Sequence, residues 1–226
     1  MIDWKKYPIP RVRHHTSSQL YLPASGQQRL PQLYPLSIAE ARWDDWFANG
    51  RAARVLDIGC GRGGFMLQHA LTYPEQNILG LELRGTLVEW INDVIEGEGI
   101  TNARAVWYSV ANGLDFIPSA SIDHIFYLFP DPWPKKRHVK RRAFTDSFLE
   151  QLHRVLVPGG RLYLATDRAD VDQQQRYQIA SLPHERGFDI REVQEPADWP
   201  FDFKTDQQLF CERKGIPFVT YYASRR

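Results

Sequence analysis

Val55-Leu56-Asp57-Ile58-Gly59-Cys60-Gly61-Arg62-Gly63-Gly64 sets a short aliphatic run directly against four glycines in six residues. The run from Arg54 to Ile58 reads as a buried strand that ends in glycine. A helical stretch follows to about Tyr73 and stops at Pro74, which has no N–H to give a helix. The alternation repeats downstream. Ile78–Leu83 reads as a strand, Gly85–Glu96 as a helix ended by Gly97, and Ala103–Tyr108 and Ile122–Phe129 as further strands. Arg142–Leu156 carries Phe144, Phe148, Leu149, Leu152 and Val155 at helical spacing, and Pro158-Gly159-Gly160 turns into a fifth strand, Arg161–Thr166. Strands alternating with helices predict an α/β fold, a parallel sheet covered on both faces. Further strands are expected from about Phe188, around a Trp/Pro/Phe-rich loop. Upstream, residues 1–50 read as an extended arm followed by a short helix near Ile38–Phe47. The chain thus divides into an arm, 1–50, and one α/β domain, 51–226.

Gly59, Gly61 and Gly64 fit GxGxxG, the dinucleotide fingerprint, which alone is weak. A tight strand–helix turn without a ligand and a nicotinamide-dinucleotide site both remain open on the glycines. Asp57 discriminates. A dinucleotide site receives a pyrophosphate at the helix N-terminus, and a carboxylate there repels it. S-adenosyl-L-methionine presents a cationic amino group and a sulfonium, which a carboxylate attracts. About 25 residues on, Glu82 closes the second strand, where an acid can accept both hydroxyls of a ribose.

The fourth strand runs into Phe129-Pro130-Asp131-Pro132-Trp133-Pro134. Ligands of open α/β sheets bind beyond the carboxyl ends of the strands. Two prolines restrict the backbone around Asp131, so one carboxylate and one indole are presented rigidly. That pairing suits a planar base, stacked on the ring and hydrogen-bonded at its edge; a proline-rich turn is the plainer reading. Lys135–Arg142 (KKRHVKRR) follows at once and holds six of the 28 Lys and Arg residues. Without it the chain has 22 basic against 27 acidic side chains, so a net charge of +1 hides a cationic segment on an acidic body. The run is expected to enter the first turn of the next helix, where the macrodipole disfavours cations and an external polyanion offsets the cost. Nucleic acid is therefore the leading substrate class.

No run of about eighteen apolar residues occurs, so no membrane span is expected, and the first residues lack the apolar core of a signal peptide. Cys60 and Cys211 lie far apart, outside any CxxC pattern, which suits a reducing cytoplasm and argues against structural zinc. His14, His15, His69, His124, His153 and His184 show no metal spacing, so no metal is expected. His138, inside the basic run, is a candidate phosphate contact. A monomer and a homodimer are both open.

On LDIGCGRG at 56–63, LGLEL at 79–83 and above all FPDPWPKKRHVKRR at 129–142, the chain resembles the bacterial tRNA (guanine-N7-)-methyltransferase family. The resemblance covers nearly the whole chain. It implies a class I methyltransferase (Rossmann-like) fold, a mainly parallel seven-stranded sheet with helices on both faces and the last strand antiparallel. It implies cofactor contacts from Asp57, Gly59, Gly61, Glu82, Val110 and Ala111, an active-site acid at Asp131, and substrate contacts from Lys135, Asp167, Thr205 and Gln208. The implied reaction is methylation of a guanine N7 in the variable loop of tRNA. Two departures stand out. Val110-Ala111-Asn112 replaces an Asp-Ala or Asn-Ala pair that helps hold the adenine, leaving backbone groups or Asn112 to substitute. Gln208 stands where Glu is usual, and an amide accepts guanine donors more weakly than a carboxylate.

N7 has an in-plane lone pair and no proton, so the reaction needs no general base. It needs alignment behind the methyl group and a carboxylate near the charge that grows on the purine. Two rivals remain at this stage. A class I methyltransferase for a small molecule or protein gives no reason for KKRHVKRR. A non-catalytic RNA-binding subunit gives no reason for Asp57, Glu82 and the glycines. The basic run generates a test. If it contacts about four to six phosphates, log K for tRNA against log salt slopes near −3 to −5. Reversing Lys136, Lys140 and Arg141 to Glu flattens that slope while cofactor binding persists; a wild-type slope near zero makes the run a solvated face.

Overall fold

Strand β1 (Val55–Ile58) is buried along its whole length and pairs in parallel with β2 (Ile78–Glu82) on one side and β4 (Ile122–Leu128) on the other. The computed structural model describes residues 2–12, 16–35, 37–133, 141–183, 187–193 and 198–226. From β1 the sheet grows outward in both directions. Strand β3 (Ala103–Trp107) adds to β2, and β5 (Leu156–Thr166) adds to β4, both parallel. Strand β7 (Val219–Arg225) then inserts antiparallel between β5 and β6 (Phe188–Glu192). The seven strands lie in the order β3-β2-β1-β4-β5-β7-β6, so only β7 runs against the rest.

Side chains alternate across the pleat and feed two cores. On one face Leu56, Ile58, Ile125 and Tyr127 meet Phe148, Leu149 and Leu152 of α4 (Asp146–Val155) and Ile179 of α5 (Ala169–Ala180). Trp46 and Phe47, at the one-turn helix α1 (Trp43–Trp46), join the same core. On the other face Val55, Ile78 and Phe126 meet Phe65 and Met66 of α2 (Gly64–Thr72) and Ile91 and Val94 of α3 (Gly85–Gly97). Phe201 and Phe203, from the aromatic loop before α6 (Asp206–Lys214), close that core.

Several expectations change. Strand β5 begins at Leu156, so Pro158-Gly159-Gly160 lies within it rather than before it, and the short helix expected near Ile38–Phe47 is the single turn Trp43–Trp46. Helix α4 begins at Asp146 rather than Arg142, because the Thr145 hydroxyl caps it by accepting from the Phe148 N–H at 3.2 Å. The basic run thus ends before the helix, and the macrodipole gives no argument for a polyanion. Helices α5 and α6 are not signalled by the sequence, since their apolar stripes are too narrow. Helix α5 buries only Val171, Gln175 and Ile179, and α6 buries only Cys211. No helix among the described residues is long and apolar enough to cross a membrane.

His69 is fully buried in α2, ringed by Tyr73, Phe126, Phe201 and Phe203 at centroid distances of 4.9–6.2 Å. Neither ring nitrogen has a hydrogen-bond partner. Burial, helped by His124, lowers its pKa to about 4. The folded state therefore holds His69 neutral while the unfolded chain takes up a proton near pH 6.5, so stability is lost as pH falls from about 6.5 toward 4. His69→Leu keeps the volume and removes that linkage. Its melting temperature relative to wild type rises steadily between pH 7.5 and 5; a constant difference over that range would show that His69 does not titrate on unfolding.

Candidate active site

The order of strands reverses between β1 and β4, and the chain leaves these two strands in opposite directions. A cavity of about 380 Å³ opens at their carboxyl ends, the expected place for a ligand. Its walls come from four successive strand ends: Ile58 and Gly59 after β1, Glu82 and Arg84 after β2, Val110 and Ala111 after β3, and Phe129 to Asp131 after β4.

Asp57 precedes the lining residues Ile58 and Gly59, buried within β1, with Oδ2 lacking any hydrogen-bond partner. Burial, then the neighbouring Glu82 carboxylate, raises its pKa to about 7. A carboxyl group held this way favours a cationic neighbour. The glycine loop above it has room for one. Gly59 and Gly61 have φ of 76° and 61°, conformations side chains rarely adopt. A Cβ on Gly59 would meet nothing within 4 Å, so the loop borders open space. Glu82 is more committed than its sequence position suggests. It accepts from the Gly61 N–H at 2.9 Å, and from the Arg84 backbone N–H at 2.9 Å and Nε at 2.8 Å. Arg84 is thus a member of the site that the sequence reading did not single out.

Val110 and Ala111 belong to a single 3₁₀ turn, Val110–Asn112, on the cavity wall. Asn112 does not supply the acceptor missing at Val110. Its carboxamide oxygen is taken by the Ala24 N–H at 2.8 Å and the Tyr34 hydroxyl at 3.0 Å, both from the N-terminal arm.

Asp131 stands at the opposite end of the cavity, held by more than its two prolines. Phe129 and Trp133 both adopt positive φ, 50° and 40°, each at a cost of roughly 1–3 kcal/mol that the surroundings must over-determine. The Phe129 N–H donates to the Ala165 carbonyl at 2.7 Å. Arg142 donates to the Pro132 carbonyl at 2.7 Å and to Gln174 and Asp170 of α5. Its side chain is almost entirely buried. Arg142 therefore clamps the Pro-Asp-Pro-Trp loop to α5 rather than facing a phosphate. Arg141 lies over the Trp133 ring at 4.8 Å, so reversing its charge perturbs the Trp133 wall of the cavity as well as the basic run; Lys136 and Lys140 give the cleaner pair. Tyr21, from the arm, hydrogen-bonds Asp131 and also lines the cavity.

The remaining described candidates are not among the residues that line this cavity. Asp167 follows β5 and accepts from Gln207 Nε2 at 3.3 Å. Thr205 caps α6, its hydroxyl accepting the Gln208 N–H at 3.0 Å. Gln207, one residue before the expected Gln208, is the side chain that reaches Asp167. Lys135 and His138 lie outside the described residues. Among the described residues no cluster of three or more His, Cys, Asp or Glu could hold a metal ion.

A family model described as "Putative methyltransferase" matches residues 51–213. A tRNA (guanine-N(7)-)-methyltransferase of Streptococcus pneumoniae strain 70585 is 32% identical over 157 residues, 70% of this chain and 72% of that protein. Among solved structures, the 16S rRNA methyltransferase KamB matches with TM-score 0.54 at 16% identity, covering 77% of this chain and 88% of its own. Precorrin-6y C5,15-methyltransferase from Geobacter metallireducens GS-15 matches with TM-score 0.52 at 15% identity, covering 76% and 79%. These two likenesses establish a class I methyltransferase fold. The family model and the S. pneumoniae relative go further, and on them the chain belongs to the tRNA (guanine-N(7)-)-methyltransferase family.

Proposed function

We propose that this chain transfers the methyl group of S-adenosyl-L-methionine to N7 of a guanine in the variable loop of tRNA. The observation that carries this reading is the cavity at the β1/β4 reversal, walled by Glu82 and the Asp131–Trp133 loop, with the buried carboxyl of Asp57, its Oδ2 unpartnered, one residue before the lining at Ile58. Bound there, the cofactor supplies an electrophilic methyl group on a sulfonium.

The chain's own residues do the rest. Asp57 accepts the cationic amino group, which restores charge to a carboxyl that burial keeps partly protonated. Glu82 takes the ribose hydroxyls, exchanging hydrogen bonds that Arg84 holds without them. Val110 and Ala111 wall the adenine, with backbone groups in place of the side-chain acceptor. Gly59 and Gly61 admit the ligand close to the backbone. Asp131 and Trp133 face the purine, and the Asp131 carboxylate offsets the positive charge that grows as N7 is alkylated. Asp167, Thr205 and Gln208 contact the substrate from the side, with Gln207 fixing Asp167. Lys135 and its basic neighbours bind phosphates of the tRNA, and the enzyme works on it in the cytoplasm. Incubation with radiolabelled cofactor and total tRNA, followed by nucleoside analysis, tests the reading directly: label in 7-methylguanosine supports it, and label elsewhere or nowhere overturns it.

Asp57 sets a pH dependence. In the free protein its carboxyl is held at about 7, and a cationic ligand requires the ionised form. Cofactor binding therefore releases protons below neutrality, and affinity rises with pH up to about 7. Calorimetry in buffers of different ionisation enthalpy detects the release, and Asp57→Asn abolishes it while weakening binding. If affinity is flat from pH 5.5 to 7.5, Asp57 does not meet the cation.

Asp131→Asn keeps shape and one acceptor but removes the charge. Single-turnover methyl transfer slows by roughly 10²–10³, the range for one well-placed stabilising group. Cofactor and tRNA affinities change little, since the interaction strengthens mainly in the transition state. A wild-type rate at both saturating and subsaturating tRNA would reduce Asp131 to a turn residue.

A further inference from the structure

Tyr21 reaches the active site from outside the α/β unit, 110 residues before its partner. It ends the one-turn 3₁₀ segment Ser18–Tyr21, donates its hydroxyl to Asp131 Oδ2, and lies 4.8 Å from the Trp133 ring at 84°. The segment is fixed on the far side of the cavity. The Ser109 hydroxyl donates to the Leu20 carbonyl at 2.7 Å, and Asn112 Oδ1 accepts the Ala24 N–H at 2.8 Å. The Tyr34 hydroxyl bridges Asn112 Oδ1 at 3.0 Å and the Leu22 carbonyl at 2.8 Å. Leu20 and Tyr34 are themselves buried. The arm thus takes its register from the turn after β3 and delivers one phenol across the cavity to the carboxylate after β4.

We propose that Tyr21 is a positioning residue for methyl transfer, its phenol holding the Asp131 carboxylate in a single orientation toward the purine. The final torsion of an Asp side chain is broad, so a rigid backbone alone does not aim its oxygens. A phenol anchored from the opposite wall does. Burial and the Asp131 carboxylate push the Tyr21 hydroxyl well above its usual range, so it stays protonated and remains a donor. The arm is thereby part of the reaction machinery.

This inference rests on Asp131 being the active-site acid, and the test separates the two. Single-turnover rates at saturating cofactor are compared for wild type, Tyr21→Phe, Asp131→Asn and the double variant. Tyr21→Phe is expected to slow the chemical step by about 10–100-fold, the scale of a hydrogen bond to a charged group. Cofactor affinity and tRNA KM stay within about threefold. Loss of mere packing would not confine the effect to the chemical step in this way. In the Asp131→Asn background the same substitution adds little. If Asp131→Asn slows transfer and Tyr21→Phe does not, the Tyr21 assignment alone falls. If Asp131→Asn has no effect, the reading beneath it fails too. Faster transfer or a lower tRNA KM in Tyr21→Phe overturns the proposal, because Tyr21 is then an obstacle the base must evict. Ser109→Ala, which unlatches Leu20, is the second variant should Tyr21→Phe not fold; a smaller loss of the single-turnover rate with unchanged cofactor affinity is expected, and a wild-type rate counts against the proposal.

Discussion

A carboxyl group buried inside an otherwise aliphatic strand is the constraint around which this molecule is arranged. Asp57 occupies the centre of the sheet, where its neighbours in β1 are Leu56 and Ile58, both buried. Burying an isolated charge there is costly, and the group responds by holding its proton toward neutrality. A hydrophobic residue would pack the same position at no such cost. The cavity above it, the positive-φ glycines that keep side chains out of that cavity, and the second carboxylate at Glu82 all become coherent once a cationic ligand completes the site. The sheet supplies the rest, because reversing strand order beside β1 leaves a gap that no connection crosses.

The opposite end of the site uses a different device. Asp131 is presented by a loop in which two prolines alternate with residues forced into left-handed backbone geometry. Such a loop does not hold itself. The Ala165 carbonyl restrains one side, Arg142 ties the other to α5, and Tyr21 reaches the carboxylate from the arm. One arginine of a conspicuously basic run is therefore spent on architecture, and another lies on the indole. Charge density in a sequence does not say which cations face outward.

What was legible in the sequence follows a physical rule. Strands β1 to β4 and helices α2 and α3 were readable to within a residue or so, since aliphatic runs and glycine or proline stops are local signals. Asp57 and Glu82 stand out in the sequence because each interrupts or closes a strand where an apolar residue would serve the fold better, and Asp131 because a proline flanks it on either side. Helices α5 and α6 were not, since a helix resting on a sheet edge with three or fewer buried residues has no stripe to detect. The start of α4 was misplaced because Arg142 helps the apolar pattern by position yet turns into the loop. The roles of Tyr21 and Asn112 were illegible for another reason. Their partners lie some 80 to 110 residues away, and no local pattern encodes a contact of that span.

That span also orders events in time. The arm is synthesised before every strand of the sheet, yet the turn that anchors it follows β3 and the carboxylate it meets follows β4. At about 5–20 residues per second, Tyr21 exists for on the order of 5–20 seconds before Asp131 has been made. During that interval Leu20 and Tyr34, buried in the finished protein, have no surface to cover them. The loop closed by the arm is longer than that between any two paired strands of the sheet, and longer loops cost more chain entropy to close, so the arm is expected to dock after the parallel core has assembled. A nascent or partly unfolded chain can therefore carry a well-formed sheet and a complete glycine loop while its base-facing wall is still missing. On the proposed role of Tyr21, competence for chemistry requires docking of the arm in addition to formation of the sheet.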